Sequence, residues 1–143
     1  MRVPNNVLGY AVKRLRTALE NIQSHHEAHF LFQDYPESNN EFTLSTVENG
    51  SVSNYRLDRT FIDHDGTRWI VDYKSTVHDN QDDDVAEFAT EQVDSRHKAQ
   101  LEKYGALFAQ VDTRPIKLAV YFPLLKQLIT WPYNAKRKST EFN

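Results

Sequence analysis

The sequence contains no cysteine. That excludes disulfides, thiolate nucleophiles, zinc ribbons and cysteine-ligated iron–sulfur clusters. No apolar run approaches the ~20 residues of a membrane-spanning helix, so no membrane partner is expected. Residues 1–10 lack the basic-then-apolar order of a secretory signal, and a cytoplasmic location is expected. A Gly-x-x-x-x-Gly-Lys-Ser/Thr phosphate loop is missing, which excludes an ATP-driven motor within these 143 residues. A basic excess is missing too: 17 Lys and Arg stand against 20 Asp and Glu, for a net charge of -3. Nucleic-acid binders more often carry a positive balance, although local distribution matters more than the sum. Basic residues cluster at Lys13, Arg14 and Arg16, around Arg56, Arg59 and Arg68, and at Lys136, Arg137 and Lys138, whereas acid concentrates at Asp82, Asp83 and Asp84. Each cluster also fits a plain solvated face.

What is present fits one domain, 1–143, with 39% hydrophobic and 12% aromatic residues to fill a core. Val7, Leu8, Ala11, Val12, Leu15, Ala18, Leu19 and Ile22 recur at helical spacing, predicting one long or two consecutive helices over 6–32. Strands are expected over 41–47, 52–63 and 67–75, the first two joined by an Asn49-Gly50 turn. A polar loop over 76–84 leads to a helix over 85–110, strands over 116–122 and 127–131 follow, and a frayed tail is expected over 133–143. The order αβββαββ implies an α/β sandwich, a mixed sheet of about five strands flanked by helices.

The informative stretch surrounds Gly66. His64-Asp65-Gly66 fits a three-residue hairpin loop closed by Asp63 and Thr67. Antiparallel partners then sum to 130, which sets Phe61 opposite Trp69 and Asp58 opposite Asp72. Directly opposed residues share a face with Cβ atoms about 5 Å apart, where two carboxylates repel. A divalent cation between them reverses the sign of that interaction, because hard cations prefer carboxylate oxygens. Lys74 follows Asp72 by two residues and shares its face, while Trp69, Val71 and Tyr73 point away into the core. Two carboxylates beside an ammonium suit phosphodiester hydrolysis, with a metal activating water and the lysine stabilising developing charge. The same spacing also fits a surface salt bridge between Lys74 and a neighbouring aspartate.

Asp-Arg-x-Phe, a turn, and then Trp-Ile-Val-Asp-Tyr-Lys-Ser resembles the C-terminal nuclease domain of RecB/AddA-type helicase–nucleases, in the PD-(D/E)XK superfamily. Gln100-Leu101-Glu102-Lys103-Tyr104 resembles that family's Gln-x-x-x-Tyr helix element, and the strand Ala119-Val120-Tyr121-Phe122-Pro123 is similar as well. The resemblance covers about 41–131. It implies a restriction-endonuclease-like fold and a Mg²⁺- or Mn²⁺-dependent DNase, expected to be an exonuclease. It assigns Asp58, Asp72 and the Tyr73 backbone carbonyl to the metal and Lys74 to catalysis. Gln100 and Tyr104 are expected to line the cleft toward DNA, with core packing as the alternative for Tyr104. Arg59 is a further expected DNA contact. Glu41 and His26 are candidate additional metal ligands, although His25, His26 and His29 also fit ordinary surface positions.

Tyr55 and Arg56 stand where many relatives carry Gly. The relatives also fuse this domain to a helicase, so a helicase subunit or domain supplied in trans is an expected partner. Two other readings stay open: a non-catalytic nuclease-fold module that binds DNA or docks a helicase, and a restriction-type endonuclease.

Overall fold

In the computed structural model, which describes residues 5–78 and 84–135, five strands form one mixed sheet with helical segments on both faces. Helix α1 (Asn5–Ser24) and a 3₁₀ segment (His26–Phe32) precede strands β1 (Asn39–Glu48), β2 (Ser51–Ile62) and β3 (Arg68–Tyr73). Helix α2 (Val85–Gln92), a π turn (Val93–His97) and helix α3 (Lys98–Ala109) form the crossover to β4 (Ile116–Phe122) and β5 (Gln127–Pro132). The sheet order is β1-β2-β3-β4-β5, antiparallel except for the parallel pair β3–β4. This is the α/β sandwich and element order expected from the sequence. Asp79, Asp82, Asp83, Lys136, Arg137 and Lys138 lie outside the described residues.

Both hairpins follow from their turn residues. Asn49 (φ 52°) and Gly50 (φ 80°) both take positive φ, the requirement of a two-residue type I′ turn. In the second hairpin Gly66 sits at φ 81°, Asp63 N–H donates to the Thr67 carbonyl at 2.9 Å, and Phe61 pairs with Trp69. The Asp63 carboxylate fastens this loop. It accepts from the Asp65 and Thr67 N–H groups at 2.9 and 3.0 Å and from Trp69 Nε1 at 2.8 Å. Burial pushes the Asp63 carboxyl up, but the three donors outweigh it and hold it below its ordinary value. Asp63→Ala is therefore expected to cost about 2–3 kcal/mol, read as a lower urea midpoint at neutral pH. Because the folded pKa is depressed, that contribution is present above the unfolded carboxyl's pKa and fades as acid protonates Asp63.

Helical spacing over 6–32 resolves into two pieces. The chain leaves the helix at His25 (φ -98°, ψ 78°), and His29 Nε2 reaches the Ile22 carbonyl at 3.0 Å, one of the acceptors left open at the end of α1. The expected helix over 85–110 is divided by the π turn, and Asp84 caps its start by accepting from the Ala86 and Glu87 N–H groups. Tyr133, assigned to the tail by the sequence, is held in place: its N–H donates to the Ile116 carbonyl at 2.9 Å, and its ring lies where a Cβ on Gly105 would meet it at 2.8 Å, while 136–143 lie outside the described residues.

The sheet is buried on both faces, not one. Trp69 and Val71 join Phe61, Ala119 and Tyr121 under the 3₁₀ segment, as their alternation predicts. Ile70 joins Leu57, Leu118, Val120 and Phe122 beneath α3 on the opposite side. Asp72 and Lys74 therefore emerge at the end of an apolar face.

Candidate functional site

Because β3 and β4 run parallel, their carboxyl ends come together, the position where open α/β sheets present ligand sites. Asp72 and Tyr73 end β3, and Lys74 N–H extends the ladder by donating to the Tyr121 carbonyl at 2.9 Å. Asp58 reaches this point through an irregularity in β2. Leu57 belongs to the α3-side core, and Thr60 Oγ1 accepts from Arg68 Nη1 while the Arg68 guanidinium covers the Phe108 ring on that same side. Arg59 lies over Phe61 on the other side. Leu57 and Thr60, three residues apart, thus share a face, and the two-residue alternation skips at Asp58. Across from it in β1, between the pairs Asn40–Arg59 and Phe42–Leu57, Glu41 holds φ 55°. Matched irregularities of this kind re-aim side chains, and they recur beside functional sites.

The opposition of Asp58 and Asp72 is met by side chains, not by a regular backbone pair. Backbone pairing of β2 with β3 is registered from Arg59–Val71 to Ile62–Arg68, and beyond it the Asp58 carboxylate accepts from the Tyr73 N–H at 2.8 Å. The carboxyl groups of Asp58 and Asp72 stand within hydrogen-bonding reach of each other. Burial first, and then the Asp58 carboxyl, push Asp72 up to about 6 against the pull of Lys74. Lys74 Nζ lies 3.0 Å from Asp72 Oδ2, with side-chain exposures of 30% and 17%. That oxygen is nevertheless buried with no well-directed hydrogen bond. The ammonium is close enough to attract but does not satisfy it.

An unsatisfied, buried carboxylate oxygen beside a second carboxylate is the donor chemistry of a hard divalent cation. Asp58, Asp72 and the Tyr73 carbonyl are the groups at hand to hold one. Among the described residues no three His, Asp or Glu side chains form a metal-binding group.

The remaining expected residues divide. Tyr104 is buried on α3; burial first, and then the charges of Asp72 and Asp58, raise its pKa against the opposing influence of Gln100. The helix element and the carboxylates therefore share one site. Glu41 borders the cleft that Asp58 opens onto, but its carboxylate pairs with Arg56 at 3.2 Å on the surface. His26 does not join the carboxylates: it is exposed and packs edge-on against His29 at 4.9 Å. The turn at His25 redirects the segment that would have carried it. Arg59 is not free for phosphate either. It is 7% exposed, Nη1 donates to Asn40 Oδ1 at 2.9 Å and Nη2 to the Gln33 carbonyl at 2.6 Å. Reading it as part of a basic surface cluster overlooked that its strand position faces inward beside Phe61.

His97 was missed. It ends the π turn, packs near Phe122 at 6.4 Å, and burial followed by the Lys74 charge holds its pKa below that of an ordinary imidazole. The signal was available: His97, Gln100 and Tyr104 follow i, i+3, i+7 and share a helical face. π turns are also over-represented at functional sites.

No protein-family model and no curated protein matches the sequence. Among solved structures, the chain is similar to the crystal structure of SSO0001, with 14% identity and a TM-score of 0.41 over 94% of this chain. It spans 64% of that protein's chain. A likeness this distant carries no functional argument.

Proposed function

We propose that this chain is a metal-dependent deoxyribonuclease of the PD-(D/E)XK type, related to the nuclease domains of helicase–nucleases. One observation carries the reading: Asp58 and Asp72 converge beside Lys74 with a buried Asp72 oxygen left unsatisfied. Asp58, Asp72 and the Tyr73 carbonyl would hold Mg²⁺ or Mn²⁺, which supplies charge neutralisation at the phosphate and a water of lowered pKa. The Tyr73 N–H fixes the Asp58 carboxylate in place. The Lys74 ammonium orients the attacking water or balances charge on the phosphoryl oxygens. Gln100 and the Tyr104 hydroxyl form a polar rim over the carboxylates that positions the substrate backbone. Burial and the Asp58 carboxyl keep the Tyr73 phenol protonated, its pKa pushed up to about 12, so it takes no part as a base.

The test is cleavage of labelled single- and double-stranded DNA with Mg²⁺ or Mn²⁺, beside Asp72→Asn and Lys74→Ala. Metal-dependent cleavage lost in both variants is the expected result, and cleavage indifferent to both would overturn it. Linear DNA degraded while circular DNA survives identifies an exonuclease; cleaved circles identify an endonuclease of restriction type. These 143 residues hold no motor motif, so duplex ends are expected to be fed by a helicase subunit or domain outside them.

A second reading, a non-catalytic module binding DNA or docking a helicase, is favoured by one observation: no third acidic or histidine ligand joins the pair among the described residues. Calorimetric titration with Mn²⁺ separates the two, since a non-catalytic module leaves the titration flat.

A further inference from the structure

The cleft that Asp58 opens onto, about 540 Å³, is lined by Phe32, Asn40, Glu41, Asp58, Arg59 and Tyr73. Phe32 stands out there. A phenylalanine loses apolar surface area to water at a cost, yet Phe32 is 42% exposed. It is also held firmly. Its ring lies parallel to Tyr73, at 5.9 Å and 10°, and edge-on to Tyr121 at 5.8 Å. The next residue is clamped, because the buried Arg59 guanidinium bonds the Gln33 carbonyl and is itself fixed by Asn40. Tyr35 then stacks on Phe61 at 4.4 Å, anchoring the segment from its other end. The buried arginine thus has a purpose here: it helps hold an exposed aromatic face in the cleft that Asp58 lines.

We propose that Phe32, backed by Tyr73, is a nucleobase-stacking platform that receives an unpaired base next to the scissile phosphate. The inference rests on the nuclease reading. Tyr73 connects the two: its side chain backs Phe32, while its N–H holds the Asp58 carboxylate. A second cleft, of about 450 Å³, shares Tyr73 as a wall and is bordered by Lys74 and Arg14. A strand crossing from one cleft to the other presents its phosphate to Lys74 and Asp58 and a base to Phe32. A base inside a duplex has both π faces covered by its neighbours, so the platform favours single strands over duplex interiors.

The test uses binding, not cleavage, with Ca²⁺ replacing Mg²⁺. Single-stranded oligonucleotides carry 2-aminopurine at one of the three terminal positions. Wild type is expected to quench the probe at one position. Phe32→Leu, which keeps apolar bulk without a π face, is expected to lose the quench and to bind single strands roughly tenfold or more weakly, a range set by single base–aromatic stacks. Phe32→Trp is expected to retain both. Thermal melting of each variant controls for folding, and affinity for a closed circular duplex, which has no end to stack, serves as the internal reference. Single-strand affinity and quench unchanged in Phe32→Leu overturn the platform, as does an equal loss for duplex and single strand. DNA that wild type does not bind at all instead overturns the nuclease reading on which the platform depends.

Discussion

Lys74→Ala is expected to lower kcat for DNA cleavage by about a hundredfold to a thousandfold with little change in KM, the cost of removing one preorganised charge at a developing phosphoryl charge. Lys74 is not a ligand of the proposed cation, so Mn²⁺ binding should survive. That pairing of results separates a catalytic lysine from a structural one. The Lys74 side chain is 30% exposed, lies past the last residue of β3 and belongs to neither core cluster. Lys74→Ala leaves the largely buried Asp72 carboxyl without its ion-pair partner, so a modestly lower melting temperature at neutral pH is expected while the fold is retained. Lys74→Arg is expected to rescue poorly, because the guanidinium is a planar fork where the site presents a single point-charge position. The variant has a second consequence. The Lys74 charge draws the Asp72 pKa down, and losing it leaves burial and Asp58 unopposed, so the acid limb of any residual activity should move to higher pH. Full kcat in a Lys74→Ala preparation that binds Mn²⁺ would sink the catalytic assignment.

The site was legible in the sequence where local rules acted alone. Gly66 determines the hairpin loop and the loop determines the register from Ile62–Arg68 to Arg59–Val71, which carries Asp58 to the end of β3, where its side chain meets the Tyr73 N–H. The i, i+4 spacing of Gln100 and Tyr104 likewise needed no tertiary knowledge to set both on one helical face. What the sequence could not convey arises from contacts between distant segments. Arg59 reads as a surface cation until the Gln33 carbonyl and Asn40, from the 26 and 19 residues before it, close around its guanidinium. His26 was a candidate ligand through the family resemblance, but the chain leaves the helix at His25, where His29 folds back to the Ile22 carbonyl. The pleat skip at Asp58 is subtler. Strict alternation would have put Leu57 and Arg59 on one face. The left-handed Glu41 across the ladder accompanies the exception, and no turn residue in the sequence announces it.

Asp58→Asn is expected to make the metal-free protein more stable above pH 6 while abolishing its response to Mg²⁺. In wild type the Asp72 carboxyl is raised to about 6 by burial and by Asp58, against an unfolded value of 3.8. A raised folded-state pKa means the native protein holds the proton more tightly than the unfolded chain. The group therefore costs nothing below about pH 4, costs progressively more between 4 and 6, and above 6 costs about 3 kcal/mol if the whole shift is realised. An asparagine at 58 keeps an oxygen for the Tyr73 N–H and turns an amide toward Asp72, so repulsion becomes a hydrogen bond. Burial, the larger cause, persists, and only part of the cost is recovered, on the order of 1 kcal/mol. Magnesium has the opposite ranking. Bound between two carboxylates it should stabilise wild type by roughly 2–3 kcal/mol at a hundredfold excess over its dissociation constant. The variant, with a single carboxylate left, should gain almost none. Urea midpoints of both proteins at pH 5 and 7.5, with and without Mg²⁺, contain the whole prediction. Equal Mg²⁺ stabilisation of the two proteins would place the cation elsewhere, and no stabilisation of either would leave two opposed carboxylates without the ion that accounts for them.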